Sequence, residues 1–312
     1  MAKRKEKVSK GKQSISLSLL WKQRYLLLMS VPFVIWVIIF KYIPLWGWTM
    51  AFQEVKPATF SMPIWERPFV GFENFIKAFN DRLFGQTMIN TIGISIIDIV
   101  LGTIVAIAFA IFLNELQFMR FKKLTQTISY LPHFVSWVII ASIAKNIFND
   151  GGVLDTLTNT NLHLMSTNSI LIWFVIVIIN CWKEMGWNAI IYLSAMAGID
   201  TGLYEAAKMD GANRFQRMWH ITLPGIRPTI IVLLIMNIGG ALNVGMERQM
   251  LLSNAFVQDH TMVLSWFAYE RGIGSSDYGL GTAIGVFQSV VGITLLLIAN
   301  KIAGMLGEDK LI

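Results

Sequence analysis

Long apolar runs separated by short polar segments dominate the chain. Because about 20 apolar residues are needed to cross the hydrocarbon core of a bilayer, runs of this length predict spanning helices. They lie at residues 25–49, 87–113, 125–148, 168–194, 224–246 and 279–305. The pattern predicts an all-α integral membrane protein with six transmembrane helices, all within one domain at residues 25–305.

The amino-acid composition is that of a chain embedded in a lipid bilayer. Hydrophobic residues make up 54% of it and charged residues only 14%, which is too little charge for a surface in contact with water. The net charge is +7, and eight of the 26 Lys and Arg residues lie in the tail at residues 1–24. We therefore expect this tail to be held in the cytoplasm by the positive-inside rule, and not to bind nucleic acid.

Counting spans from that tail assigns a side to each loop. The loops at 114–124 and 195–223 become cytoplasmic, and both contain Lys and Arg, whereas the outer loop at 149–167 contains neither. Both termini, including the short tail at 306–312, are then predicted to be cytoplasmic.

The first outer loop, residues 50–86, contains its own helical pattern. Phe72, Phe75, Ile76 and Phe79 recur at the spacing of one helix face, with polar residues between them. This predicts an amphipathic helix lying on the membrane surface. This helix either covers the outer opening of the transport path as a lip or packs on the outer ends of neighbouring spans.

Motifs for catalysis are missing from the sequence. It contains no Gly-x4-Gly-Lys-Ser/Thr phosphate loop, no His-Glu-x-x-His pattern and no Gly-x-Ser-x-Gly elbow. The single Cys181 excludes a disulfide framework, and the histidines are scattered, at His133, His163, His220 and His260. We expect no catalytic residue, no metal site and no cofactor in this chain.

The loop between the fourth and fifth predicted spans, residues 200–224, is the most informative segment. Asp200 or Thr201 can cap a new helix, and Gly211 can end it. A second short helix follows, with Phe215, Met218 and Trp219 on one face. Because Pro is tolerated in the first turn of a helix, Pro224 marks the start of the fifth span. The segment predicts a compact helix pair joined rigidly to that span.

This loop resembles the signature loop of binding-protein-dependent ABC import permeases of the sugar type. The resemblance rests on Glu-Ala-Ala, Asp-Gly-Ala and Ile-x-Leu-Pro. The matched positions are Glu205, Ala206, Ala207, Asp210, Gly211, Ala212, Ile221, Leu223 and Pro224. It implies a type I ABC importer permease fold, in which a cytoplasmic coupling helix docks into a groove on a separate ATPase. It also implies that ATP and Mg²⁺ are bound by the ATPase subunits and not by this chain.

Further motifs extend the resemblance. Phe-Val-Gly-Phe-Glu-Asn-Phe at 69–75, followed by Asn-Thr at 90–91, resembles the entry to the second span in sugar-type permeases. Phe-Lys-Tyr-Ile-Pro at 40–44, with Ala-Phe-Gln at 51–53, resembles the LplB-like branch of these permeases. The resemblance implies uptake of an oligosaccharide or polysaccharide fragment across a bacterial plasma membrane. The implied partners are a homologous second permease, two cytoplasmic ATPases and an extracellular solute-binding lipoprotein.

Polar and aromatic side chains inside the spans are candidates for the substrate path. An ionised group at mid-bilayer is expensive, so Asp98 should face protein or water, either as a path residue or as an anchor between helices. Amide side chains could bind sugar hydroxyls, and indole rings could cover sugar faces. These candidates are Asn180, Asn188, Asn237, Asn243, Trp173, Trp182 and Trp187.

Other functions remain open from the residues alone. The same architecture could import a peptide or another solute. A self-contained secondary carrier would show paired intramembrane charges and inverted repeats, and only Asp98 points that way. A membrane-bound enzyme would need catalytic groups converging at one membrane face, and no such group is evident.

Overall fold

The computed structural model describes residues 21, 23–160, 162–166 and 170–307 of the 312-residue chain. Most of the predicted basic tail at 1–24, and residues 308–312 of the predicted C-terminal tail, lie outside the described residues. The chain divides into two units, residues 1–49 and 50–312.

The first unit contains helix α1 (Arg24–Val37) and a π-helical turn (Ile38–Tyr42), followed by a 3-10 helix (Ile43–Phe52) whose last three residues belong to the second unit. Together they form an apolar helical stretch, Arg24–Phe52, that is long enough to cross a membrane. The predicted first span at 25–49 corresponds to this stretch.

The second unit is helical. Its α-helices are α2 (Pro57–Phe60), α3 (Glu73–Asn80), α4 (Phe84–Glu115), α5 (Met119–Phe134), α6 (Trp137–Phe148), α7 (Val153–Thr158), α8 (Leu171–Ala197), α9 (Thr201–Met209), α10 (Arg214–Arg217), α11 (Leu223–Gly239), α12 (Met246–Leu252), α13 (Gln258–Thr261), α14 (Leu264–Tyr269) and α15 (Tyr278–Met305). Two π-helical turns, Met218–Thr222 and Glu270–Gly274, adjoin α11 and α14. Within the described ranges, the extended pairing is limited to one bridge between Gln53 and Phe69.

Five helical stretches of the described chain are long and apolar enough to span a membrane: Arg24–Phe52, Phe84–Glu115, Leu171–Ala197, Arg214–Gly239 and Tyr278–Met305. A bent pair, Met119–Phe134 with Trp137–Thr158, makes a sixth if it crosses as one span. The prediction of an all-helical membrane protein is confirmed, and the count is five or six.

The predicted third span at 125–148 is not one continuous helix. Helix α5 and the helical stretch that begins with α6, Trp137–Thr158, meet at an angle of 101°. Pro132, in the last turn of α5, has no N–H to donate, and Val135 and Ser136 are extended. We call residues 135–136 the break.

The predicted fifth span at 224–246 has different ends in the structure. It begins earlier, because the helical stretch runs unbroken from Arg214 to Gly239. It also ends earlier, because Gly239 and Gly240 are poor helix formers and the chain turns there. Asn243 consequently lies in a turn and not in a span.

Helices α4 and α8 pack along each other and form the centre of the second unit. Near the C-terminal ends of both helices, Ala106, Ala110 and Ala189 are buried with Tyr192, Met196 and Ile226. We call these six residues the alanine-rich cluster. Small side chains let helix backbones approach closely where lipid gives no hydrophobic drive for association.

The predicted amphipathic helix is present as α3, but its apolar residues do not form its buried side. Phe72 and Ile76 are largely exposed, and the buried residues of α3 are Asn74 and Ala78. Asn74 is buried because its amide donates to the carbonyls of Ala51 and Gln53, at 3.0 and 2.9 Å. The Phe79 ring of the stripe nevertheless packs on two long helices, with 5.1 Å between its centroid and that of Phe84 in α4 and 5.3 Å to that of Phe287 in α15. The helix is therefore packed on neighbouring spans through part of its stripe, and its role as a lip stays a prediction.

Candidate functional site

The loop at residues 200–224 folds as a capped helix pair. The Asp200 carboxylate accepts the backbone N–H of Gly202 at 2.9 Å and so caps α9. Asn213 and Gln216 cap α10 reciprocally, each side chain accepting the other's backbone N–H, at 2.9 and 2.7 Å. The predicted pair of short helices is therefore present, with the predicted cap at Asp200.

Gly211 closes α9 through a Schellman motif. Its φ is +80°, in the left-handed region that glycine adopts without strain. The N–H of Ala212 donates to the carbonyl of Ala207 at 2.8 Å, and that of Gly211 donates to the carbonyl of Lys208 at 3.2 Å. The glycine of the Asp-Gly-Ala motif is thus required by the backbone at this corner.

The helix pair continues directly into the fifth long helix. The π-helical turn lies just before Pro224, where the N–H of Leu223 reaches back to the carbonyl of Met218. The hydroxyls of Tyr204 and Thr222 meet at 3.0 Å and tie α9 to this turn. A displacement of the pair is therefore passed on to α11.

One surface of the loop is apolar and open. Its exposed apolar side chains are Leu203, Met209, Phe215 and Trp219. Among the resemblance residues, Glu205, Ala206 and Asp210 are also exposed, whereas Ile221 and Leu223 are half-buried. Leu223 packs against the alanine-rich cluster, so it connects the loop to the interior.

A cavity of about 430 Å³ lies between α4, α6, α8, α11 with the turn that follows it, and α12. We call it the central cavity. The predicted path residues that line it are Asp98, Asn180, Asn188, Asn237 and Asn243. Ala106 and Tyr192 of the alanine-rich cluster line it as well, so the cavity rests on the same packing that holds Leu223.

Asp98 is held by two partners. Its Oδ1 accepts from the Asn180 amide at 2.8 Å, and its Oδ2 accepts from Nη2 of Arg248 at 2.8 Å. The Arg248 side chain is 6% exposed and that of Asp98 is 22% exposed, so this is a largely desolvated ion pair beside the cavity. Asp98 therefore connects helices, as one of its two expected roles requires. It also lines the cavity, so the other expected role, as a residue of the substrate path, stays a prediction.

The predicted tryptophans do not line the central cavity. Trp173 is buried in the hydrophobic core, where its indole N–H donates to the carbonyl of His260 at 2.6 Å. Trp182 is exposed, and Trp187 stacks on the His133 ring with 4.3 Å between centroids. The indole in the cavity wall belongs instead to Trp137.

Sequence reasoning also missed a charged cluster on α8. The ammonium of Lys183, which is 4% exposed, donates to the carbonyl of His133 at 2.7 Å and to Glu184 at 3.1 Å. Glu184 also bonds Nδ1 of His133 at 2.7 Å and lines the cavity. An ionisable residue inside a predicted span is a candidate functional residue. Lys183 and Glu184 could have been identified from the sequence on this ground.

No feature of the sequence marks Arg248 as a candidate functional residue. It lies just beyond the predicted end of the fifth span at residue 246, so it falls in a predicted outer loop. Only the early end of the helix at Gly239 brings α12 back to the cavity wall.

No metal site is evident. Among the residues that the structure describes, no three His, Cys, Asp or Glu side chains are grouped to hold an ion.

Comparison with known proteins defines the family. The profile of the binding-protein-dependent transport system inner membrane component family matches residues 98–305. The chain belongs to this family. The permease is therefore a transport subunit and not an enzyme.

Two relatives come from Bacillus subtilis strain 168. The polygalacturonan/rhamnogalacturonan transport system permease protein YteP is 37% identical, with 96% of this chain and 94% of the relative covered. LplB is 38% identical, with 96% and 95% covered. The resemblance to the LplB-like branch is confirmed.

A solved structure shares the fold. A bacterial alginate ABC transporter, crystallised with an alginate pentasaccharide-bound periplasmic protein, contains a chain with a TM-score of 0.81 and 31% identity. The match covers 94% of the permease and 98% of that chain.

We predict that the Asp98–Arg248 pair is needed for stability. Arg248→Met leaves a desolvated carboxylate without its cation, so we expect the free energy of unfolding to fall by about 2–3 kcal/mol. The double variant Asp98→Asn/Arg248→Met removes both charges and should be more stable than Arg248→Met alone. Thermal unfolding in lipid nanodiscs measures this, and equal melting temperatures for wild type and Arg248→Met would contradict it.

Proposed function

We propose that the permease is one of two homologous membrane subunits that form the path for an oligosaccharide, with polysaccharide fragments as the substrate class. An external binding protein delivers the saccharide, and two cytoplasmic ATPases bind ATP and Mg²⁺. The observation that carries the proposal is the central cavity, where carboxamides gather beside a neutralised ion pair. Relatives with saccharide names support the substrate class.

The chemistry of the cavity wall suits a polyhydroxylated solute. Asn180, Asn188, Asn237 and Asn243 each offer an amide that can both donate and accept, which matches sugar hydroxyls. Asp98 and Arg248 neutralise each other, so the pair adds no net charge to the wall. A peptide importer of the same architecture is the alternative, and it has no observation in its favour here.

The paired intramembrane charges also bear on the secondary-carrier alternative. Such pairs occur in carriers, but here they hold helices together: Asp98 joins α4 to α12, and Lys183 joins α8 to α5. The family assignment and the helix pair at 200–224 favour the ATP-driven importer.

The loop at 200–224 is proposed as the coupling element. Its exposed apolar residues Leu203, Met209, Phe215 and Trp219 suit a groove on an ATPase. Force applied there reaches the central cavity through Leu223 and the alanine-rich cluster. In this proposal both termini and the coupling loop are cytoplasmic, in accord with the basic loops.

Gly211 gives a direct test of coupling. In Gly211→Val, a β-branched residue must adopt φ +80°, at a cost of about 1–2 kcal/mol. No atom lies within 4 Å of the added Cβ, so the effect acts through the backbone corner and not through a clash. We expect Gly211→Val to lose co-purifying ATPase and uptake. Gly211→Asn is the matched control, because Asn tolerates this conformation and should retain most activity.

Equal ATPase co-purification and uptake for Gly211→Val and wild type would exclude this corner from coupling.

Gly102 gives a test of the path. It lines the central cavity, and an added Cβ would meet no atom within 4 Å. Gly102→Phe therefore places a ring in the cavity from a position whose Cβ meets no neighbour, and it should abolish uptake of oligosaccharide recovered from the cognate binding protein. Gly102→Ala should transport normally. Normal basal ATPase activity in both variants shows that the complex has assembled, and unimpaired uptake in Gly102→Phe would place the path elsewhere.

A further inference from the structure

We propose that Trp137 is the aromatic platform on which a sugar ring of the transported oligosaccharide stacks, and that Lys183 is the residue that positions it. This inference rests on the proposed function. It assigns a binding role to the break in the third apolar segment, a feature that the family match does not explain.

Trp137 is the large aromatic surface in the wall of the central cavity. The other aromatic residue in the wall, Tyr192, is 3% exposed and packs into the alanine-rich cluster beneath it. Trp137 is half-buried, with one part of its side chain against the hydrophobic core and the remainder available to the cavity. An indole in this position offers a flat apolar surface with little conformational entropy to lose.

The break brings Trp137 to this position. Trp137 is the first residue of α6, immediately after the extended residues Val135 and Ser136. A continuation of α5 through this segment would point 101° away from the observed stretch Trp137–Thr158. The indole therefore depends on the break for its place in the wall.

Lys183 fixes the break and the indole together. Its ammonium donates to the carbonyl of His133, in the last turn of α5, and lies 5.5 Å from the centroid of the Trp137 ring. Glu184 holds the same ammonium at 3.1 Å. A buried lysine in a spanning helix is costly unless its donors are satisfied, so these contacts stay in place as a unit. The cation–π contact adds attraction between Lys183 and the ring.

The groups beside Trp137 suit the hydroxyls of the same sugar. Asn180, Glu184 and Asn188 are spaced four residues apart on α8, so they form one stripe along the cavity. The carboxylate of Glu184 is held in place by His133 and Lys183. This carboxylate and the two amides can bind the hydroxyls of a sugar while the indole covers the apolar face of its ring. Asp98, Arg248 and His133 are the other ionisable groups around this stripe, and each has a partner.

The test uses the complete importer reconstituted in proteoliposomes, with labelled galacturonate and alginate oligosaccharides as probes. Trp137→Leu removes the ring and keeps an apolar side chain. We expect uptake at subsaturating probe to fall roughly three- to tenfold, the size of an aromatic stacking contribution. Trp137→Tyr should retain at least half of wild-type uptake, because a ring is restored. Trp182→Leu, which removes an exposed indole outside the cavity, is the control and should transport normally.

Two further readouts separate binding from a structural role. Assembly with the ATPases and basal ATPase activity should be unchanged in Trp137→Leu. Lys183→Met should reduce uptake, Lys183→Arg should retain it, and the losses of Lys183→Met and Trp137→Leu should not add in the double variant.

The outcomes are distinguishable. Wild-type uptake by Trp137→Leu overturns the proposal and leaves the proposed function intact. Equal losses in the Leu and Tyr variants, together with lower basal ATPase activity, show a structural role only and also overturn it. Failure of the wild-type importer to transport either probe contradicts the substrate class, and the stacking site with it.

Discussion

A charged or strongly polar side chain buried in an apolar helical protein needs a partner, and this constraint shapes the interior of the permease. Asp98 on α4 is satisfied by Asn180 and Arg248, and Lys183 on α8 by the carbonyl of His133 and by Glu184. The first set of bonds brings α12 to α4, and the second holds the end of α5. The walls of the central cavity follow from these pairings.

The cavity and the loop at 200–224 share one packed layer. Ala106 and Tyr192 belong both to the cavity wall and to the alanine-rich cluster, while Leu223 and Ile226 enter that cluster from the helix that begins in the loop. The helical stretch is unbroken from Arg214 to Gly239, so the loop and this layer belong to one continuous helical segment. Under the proposed function, this continuity is the route by which a partner bound at the loop would alter the cavity.

Local chemistry made part of this arrangement predictable. The apolar run at 87–113 became Phe84–Glu115, and the cap at Asp200 and the corner at Gly211 depend on neighbouring residues alone. Long-range partners were not predictable. The carbonyl of His133, beside the break, is bonded by Lys183, 50 positions later in the chain, and the ion pair joins residues 150 positions apart. The places of Trp137 and Arg248 in the cavity wall involve these distant contacts together with the break and the early end of the helix at Gly239.

The central claim is that a saccharide occupies the central cavity, and Cys181 can test it. It is the single cysteine of the chain and lines that cavity. In an importer whose other subunits lack cysteine, its rate of modification by a small thiol reagent should be measured with loaded and with empty binding protein, under the same nucleotide. The account predicts several-fold slower modification with the loaded protein. An identical rate in both conditions, while uptake proceeds, would contradict it.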